Sequence, residues 1–360
     1  MRISRRRTRV VRAGGVAIGG DHPIVVQSMI KVDPHDGPAI LAQVERLAGA
    51  GCELCRLAVR DQAAVDTFAW VAGRAPLPLV ADVHFDHQLA LGAVAAGAAK
   101  LRINPGNLGG PEPLRLVARE ATQAGIPIRV GVNLGSLEDD LARRLGHTAE
   151  AMAASAMRQV RLLEDTGFAA IVISAKASDV PRTVGAYRLI ADETDWPLHL
   201  GITEAGPGRG GLVKSAAGLS ILLGEGLGDT IRVSLTGDPA EEVAAAYEIL
   251  RSLGLRHRGV ELIACPTCGR CRFDLVSLAA EVNRRTANVT EPLVVAVMGC
   301  EVNGPGEARR ADVGVALAGG GRAVLFAGGE VARTVNAAEA ADELCAEIQR
   351  VLDRRRQEAK

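Results

Sequence analysis

The sequence predicts a closed barrel of eight parallel strands wrapped by helices, a (β/α)8 fold, followed by a small α+β domain. Three observations carry that reading. Between residues 24 and 235, eight short β-branched runs alternate with segments whose apolar residues recur at helical spacing. After Arg256 that rhythm breaks. Cys265-Pro-Thr-Cys268-Gly-Arg-Cys271 is then answered about thirty residues on by Met298-Gly-Cys300-Glu-Val-Asn-Gly-Pro-Gly-Glu307, a pairing of turns suited to gripping one metal centre.

The strands are expected at 24–28, 53–58, 79–83, 99–104, 128–132, 170–174, 198–203 and 230–235. Ala-rich helical patterns fill the gaps, among them 37–50, 88–97, 114–125 and 149–165. A helix after the last strand opens with Asp238-Pro-Ala-Glu241, which supplies an N-cap, a proline at the first position and a capping glutamate. Alternation of this kind implies parallel βαβ units, and eight units in about 250 residues match a TIM-type barrel in number and length. An open, doubly wound sheet of eight strands is the alternative for this half. Beyond it, short strands at 261–264, 293–298, 313–317 and 323–326 surround a helix at 273–285, and a charged helix at 337–355 closes the chain. The expected domains are therefore 1–256 and 257–360, joined by a short linker near 253–259.

A chain of 360 residues exceeds the size at which one core usually stops growing, so two domains are also what length alone suggests. Lys plus Arg and Asp plus Glu number 42 each, so no global field favours nucleic acid or a membrane surface. The apolar runs fall far short of the ~18 residues a spanning helix needs. The basic start, Met1 to Arg9, lacks the apolar stretch of a signal peptide and reads as a solvated arm or a first short strand. Seven cysteines without an export signal point to a reducing cytoplasm, and to metal or redox chemistry rather than disulfides.

In a barrel of this type the active site lies at the C-terminal ends of the strands. Those positions hold Arg56, Asp82 with His84, Arg102 with Asn104, Arg129 with Asn133, Ser174 with Lys176, Glu204, and Arg232 with Ser234. A single arginine at a strand end is ordinarily a salt-bridge partner. Five cations from five strands would repel one another unless something anionic sat among them, and Asp82 and Glu204 offset only part of that charge. The guanidinium fork matches phosphate oxygens in pairs, so a small phosphorylated or diphosphate ligand is the expected counterpart. The glycine-rich loop 205–211 adds potential backbone donors after the seventh strand.

Four readings of the cysteines stand side by side. Cys265, Cys268, Cys271 and Cys300 suit a structural zinc, or an iron–sulfur cluster on four thiolates. Three of them with a carboxylate suit a cluster with one weakly held iron. They also suit buried small hydrophobes, the reading that fits Cys52, Cys55 and Cys345. Spacing does not separate zinc from iron.

Taken together, the motifs Val26-Gln-Ser-Met29, Ala81-Asp-Val-His-Phe85, Arg102-Ile-Asn-Pro-Gly-Asn107, Arg129-Val-Gly-Val-Asn133, His199-Leu-Gly-Ile-Thr-Glu-Ala-Gly206 and Gly228-Asp-Thr-Ile-Arg-Val-Ser-Leu235, with the two cysteine motifs, resemble the 4-hydroxy-3-methylbut-2-enyl diphosphate synthase family from about residue 8 to residue 335. The resemblance implies a barrel plus a [4Fe–4S] domain in a homodimer, one chain's cluster domain closing over the other's barrel mouth. It implies reductive, dehydrating ring opening of 2-C-methyl-D-erythritol 2,4-cyclodiphosphate, with electrons from flavodoxin or ferredoxin. Carried onto this chain, it gives Cys265, Cys268, Cys300 and Glu307 as iron ligands. Arg56, His84, Arg102, Arg129, Asn133, Lys176, Arg232 and Ser234 become the diphosphate holders. Asp82, Glu204 and Asn303 fall near the reacting carbons, with Glu204 as proton donor. Two departures stand out: Cys271 falls where the family pattern has no cysteine, and Ile30-Lys31 replaces its threonine-rich run.

Overall fold

The computed structural model describes residues 3–268, 270–271, 273–300 and 302–358. Met1 and Arg2 of the basic arm, and Gly269, Arg272 and Glu301 of the cysteine turns, lie outside them, as do the last two residues. The chain divides into two compact units after Arg256, the boundary read from the sequence.

The first unit begins with a hairpin, β1 (Val11–Ala13) and β2 (Val16–Ile18). Eight parallel strands follow: β3 (Val25–Met29), β4 (Leu54–Val59), β5 (Leu79–Val83), β6 (Lys100–Ile103), β7 (Ile128–Asn133), β8 (Ile171–Lys176), β9 (His199–Leu200) and β10 (Thr230–Ile231). Their order is β8-β7-β6-β5-β4-β3-β10-β9, and a single parallel bridge, Ile173 to Leu198, brings β9 back to β8. The sheet thus curls into the expected barrel rather than staying open. The seventh and eighth strands are much shorter than 198–203 and 230–235. Past Leu200 and Ile231 the ladder gives way to single hydrogen bonds, such as Arg232 N–H to Leu200 C=O (3.0 Å) and Thr203 N–H to Ala177 C=O (3.1 Å).

Side-chain alternation stacks the barrel interior in layers. At the N-terminal end Val25, Leu54, Val80 and Val172 pack on Val11, Ala13 and Ile18, so the hairpin plugs the barrel. Gln27 lies two residues beyond Val25, and Lys100, His199 and Thr230 on the remaining strands are buried as well. Above these lie the charged side chains of the mouth. The helices pack outside on the Leu, Ile, Val and Ala of the opposite strand face. Their N-termini are fixed by side-chain caps, for example Asp36 on Ala39 N–H (2.9 Å), Asp61 on Ala64 N–H (2.9 Å) and Asp238 on Ala240 N–H (2.9 Å).

The basic arm is neither a solvated tail nor a strand. Arg6 donates to the carbonyls of Trp196 (2.7 Å), Ala191 (3.3 Å) and Thr194, and Arg9 pairs with Asp195 at 2.7 Å and stacks on the Trp196 ring. Arg5 and Thr8 both reach buried Asp229, at 3.2 and 2.9 Å. Gly226, at φ +80°, leaves the strap room, since a Cβ there would lie 2.1 Å from the Ser4 carbonyl oxygen.

The second unit is a five-stranded mixed sheet in chain order: β11 (Val260–Ala264), β12 (Leu293–Met298), β13 (Val313–Ala318), β14 (Arg322–Ala327) and β15 (Glu330–Asn336). The first three are parallel and the last two antiparallel. Helices Leu275–Thr286 and Ala340–Glu358 cover one face, and Ala308 and Ala311 mark where the short helix Gly304–Arg310 packs on the other. That helix and β15 are absent from the sequence expectation. Gly-Pro-Gly reads as a turn, and β15 is an edge strand with little buried surface to write an apolar alternation.

Replacing Arg6 with Met should lower the unfolding free energy by about 2–3 kcal/mol, the scale of lost hydrogen bonds from a charged donor. Urea melts check this. Anion binding at the barrel mouth, on the opposite end of the strands, should not change.

Candidate active site and cysteine module

A cavity of about 230 Å³ opens at the C-terminal ends of the strands. Its lining contains Arg56, His84, Arg102, Arg129, Asn133, Lys176, Arg232 and Ser234, every residue expected to hold the diphosphate. Asp82, Ser174 and Thr203 complete it. Five cations therefore face one carboxylate. A larger groove of about 650 Å³ runs beside the basic arm, but Arg6 and Arg9 there are already spent on backbone carbonyls and Asp195.

Asp82 is the hub of the mouth: Arg102 Nη1 stands 3.2 Å from Oδ1, Arg56 Nε 3.6 Å from Oδ2, and His84 Nε2 3.5 Å away. Burial works to raise its carboxyl, but Arg56, then His84 and Arg102, outweigh that and hold it well below the ordinary carboxylate range. Arg102 also donates to the Gly131 carbonyl at 3.1 Å. By contrast Arg129, 1% exposed, has no ion pair or hydrogen bond among the described residues, and its buried Nε and Nη1 are without partners. Lys176, 7% exposed, has no carboxylate within ion-pair distance either. Burial first, then Arg129 and Arg56, pull its ammonium well below the usual amine value. The same causes act on Lys100, whose Nζ donates to the Gln27 side-chain oxygen Oε1 at 3.2 Å. Burial, with Arg56 beside it, likewise lowers Arg232 to about 10.

Two glycines make the crowding possible. A Cβ on Gly131 would fall 2.4 Å from Arg102 Nε, and one on Gly201 would fall 2.6 Å from both Lys176 Nζ and the Arg232 carbonyl. The barrel wall is hollowed where the cations need volume.

Of the three non-glycine residues with positive φ among those described, Phe85 (+64°) follows His84 and Glu204 (+51°) follows Thr203 at the mouth, and Thr267 (+56°) lies inside the Cys265–Cys268 turn of the second unit. Glu204 is exposed at the rim and is not part of the cavity lining, so the structure does not bring it to Asp82. Lys100, Gln27 and His199 were given no role in the sequence reading. The signal for Lys100 was its two-residue offset from Arg102, which puts both on one strand face.

In the second unit β11 and β12 run in register, Ala264 beside Val297, so Cys265 leaves its strand next to the Met298–Cys300 segment. Cys268 and Cys300 lie within each other's electrostatic reach. Backbone N–H groups, of Arg270 for Cys268 and of Asn303 and Val302 for Cys300, lower both thiols below their ordinary value. Cys271 behaves oppositely: its thiol donates to the Phe273 carbonyl at 3.4 Å and packs on the unit's apolar core. Asn303 is the N-cap residue of helix Gly304–Arg310, and Glu307 stands half-exposed on its first turn, 3.9 Å from Arg310. Among the described residues no three His, Cys, Asp or Glu side chains converge on a single-ion cage. A four-iron cube spaces its ligands more widely than one ion does. Thiols already receiving N–H donors, on adjacent loops, suit that group.

The architecture is that of a barrel enzyme with a cationic mouth, carrying a separate cysteine-bearing unit. Family models agree with it: the GcpE TIM-barrel domain matches residues 8–247 and the GcpE protein C-terminal domain matches 261–350. The chain is 52% identical over 347 residues to the 4-hydroxy-3-methylbut-2-en-1-yl diphosphate synthase (flavodoxin) of Geobacter sulfurreducens, covering 96% of this chain and 98% of that one. It is 49% identical over 350 residues to the enzyme of the same name from Caldanaerobacter subterraneus subsp. tengcongensis, covering 97% and 98%. The chain belongs to the 4-hydroxy-3-methylbut-2-en-1-yl diphosphate synthase family. Among solved structures, a dihydropteroate synthase from Stenotrophomonas maltophilia overlaps 69% of this chain and 98% of its own, at 16% identity and a TM-score of 0.49.

Sulfate, which carries no proton near neutrality, tests the mouth directly. Its charge raises the depressed Lys176, so binding should take up protons, and affinity should fall as pH rises through the interval above that lysine's free-state value. Calorimetry in two buffers of different ionisation enthalpy reads the uptake. Replacing Arg129 with Met should weaken sulfate at least about tenfold, the loss of one charge-assisted contact.

Proposed function

We propose that the cationic mouth holds the diphosphate of 2-C-methyl-D-erythritol 2,4-cyclodiphosphate, and that Cys265, Cys268, Cys300 and Glu307 hold a [4Fe–4S] cluster. The chain is an oxidoreductase of the non-mevalonate isoprenoid route, converting that cyclic diphosphate to 4-hydroxy-3-methylbut-2-enyl diphosphate. The observation that supports the binding assignment best is Arg129: a guanidinium sealed in the barrel without an acidic partner needs an anion.

Opening the ring breaks a carbon–oxygen bond and leaves new negative charge on a phosphate oxygen. Arg129, Lys176 and Arg232 surround the cavity where that charge develops, and they are pre-organised by the wall rather than recruited. Asp82 keeps Arg56 and Arg102 in fixed orientation. His84, Asn133 and Ser234 supply further hydrogen-bonding groups at the same mouth. When bound, the cluster supplies electrons and a Lewis-acidic iron for the departing hydroxyl. Loss of that hydroxyl as water needs a proton, and Glu204, on its positive-φ loop beside Thr203, is the proposed donor, with Asn303 proposed as a further residue near the reacting carbons. A carboxylate suits the fourth iron because it yields its position more readily than a thiolate.

Flavodoxin, printed in the relatives' names, is the proposed electron donor, with ferredoxin as the other candidate. A homodimer that brings one chain's cysteine unit over the other's mouth is proposed with it, as is a cytoplasmic location. No helix among the described residues is long and apolar enough to cross a membrane.

Anaerobically purified protein should be brown and carry iron with inorganic sulfide; colourless protein holding zinc would overturn the cluster assignment. Glu307→Ala should keep most of its iron yet lose at least about 90% of turnover, on the scale of one lost catalytic contact. In Cys271→Ser both the absorption of the cluster and the activity should survive, because the Cys271 thiol is engaged with Phe273.

A further inference from the structure

Lys31 stands where the family pattern runs to threonines, and the mouth gives it a task. Its Nζ is 2.8 Å from Glu242 Oε1, and it donates to the carbonyls of Leu235 (2.8 Å) and Gly237 (2.7 Å). Glu242 is a carboxylate 1% exposed, on the helix Pro239–Ser252 that follows the eighth strand. It also accepts from Leu235 N–H at 3.0 Å and Ser28 Oγ at 3.3 Å. Arg232, the ring cation beside it, reaches both carboxylate oxygens only at 3.5 Å. The lengths rank the claims on this carboxylate. The Lys31 ammonium forms a close ion pair with Glu242 at 2.8 Å, whereas the Arg232 hydrogen bonds at 3.5 Å are at the outer limit of such contacts.

We infer that Lys31 keeps Arg232 available to the diphosphate by occupying the buried carboxylate that would otherwise capture it. Without the Lys31 ammonium, Glu242 has one cation left within reach. Arg232 then closes on it as a fork against two oxygens, and the mouth loses one of its five positive charges to an internal pair. Lys31 acts through Arg232 and touches no ligand, so it is a positioning residue. The geometry suits a second effect of the same contact. β3 and β10 share only two paired residues, Thr230 with Val25 and Ile231 with Val26, so above Ile231 side chains hold the seam. Lys31 ties the loop after β3 to the loop after β10 there. Release of Arg232 and mere bracing of the loop predict opposite outcomes when Glu242 loses its charge, which makes the two separable.

The inference rests on Arg232 meeting the diphosphate, as proposed above. Inorganic pyrophosphate is the probe, titrated calorimetrically into the full-length, cluster-loaded protein, with KM and kcat for the cyclic diphosphate measured alongside. Lys31→Met should weaken pyrophosphate about tenfold and lower kcat/KM by at least a similar factor, and Lys31→Arg should restore both. Glu242→Gln should tighten pyrophosphate about threefold, and the double variant Lys31→Met with Glu242→Gln should recover most of what Lys31→Met lost. Unchanged affinity in Lys31→Met, or weaker binding in Glu242→Gln, overturns the inference in favour of a brace. Should Lys31→Met fail to fold, Glu242→Gln alone decides. Arg129→Met separates the two readings: if it too leaves pyrophosphate binding untouched, the diphosphate site itself is wrong.

Discussion

Positive charge without a counter-ion, buried at the mouth of the barrel, is the constraint to which the rest of this structure answers. Taking a guanidinium or ammonium from water costs roughly several kcal/mol after relaxation, and close like charges add to it. Arg129 bears that cost with no ion pair among the described residues, while burial and the neighbouring arginines hold Lys176 and Lys100 well below the usual amine value. A fold keeps such groups only if the surrounding packing is strong enough to hold them. Here the plug of Val11, Ala13 and Ile18 below and the continuous apolar shell between strands and helices provide that strength.

The single lining carboxylate is placed to order the ring rather than to neutralise it. Asp82 meets Arg56 and Arg102, two adjacent cations, and leaves the far side of the ring uncompensated. Glu242 is kept behind Arg232 and engaged by Lys31. The uncompensated arc is therefore fixed by the protein before any ligand arrives. This is pre-organisation in the electrostatic sense: reorientation is finished during folding, not during the reaction. Backbone strain sits at the edges of the same features, at Phe85 and Glu204, and the glycines at 131 and 201 remove the wall atoms that would collide with the cations.

The second unit follows a different logic. Its sheet delivers Cys265 and the Gly299–Cys300 turn to neighbouring strand ends. Backbone N–H groups then favour thiolate at Cys268 and Cys300, while Cys271 spends its hydrogen on a carbonyl. Hydrogen-bond polarity, rather than spacing, thus distinguishes the thiols.

Period and composition sufficed for the barrel: eight β-branched runs between helical stretches leave few topologies, and helix 37–50 coincides with its expected bounds because an Asp cap and a left-handed Gly51 mark both ends. The eight diphosphate-binding candidates were readable because strand-end positions and two-residue alternation place them on one face without knowledge of packing. What eluded that reading is instructive. The strands at 199–200 and 230–231 are short because single hydrogen bonds replace the ladder past Leu200 and Ile231, and β15 has no buried face to leave a pattern. The N-terminal arginines look like a solvated tail in one dimension and become a strap only when Asp229, Trp196 and Asp195 arrive from more than 180 residues away. Which element a segment forms and which end of a strand bears charge follow from local chemistry. Which cations go unpaired does not, because a missing partner is a property of everything that surrounds a side chain in space.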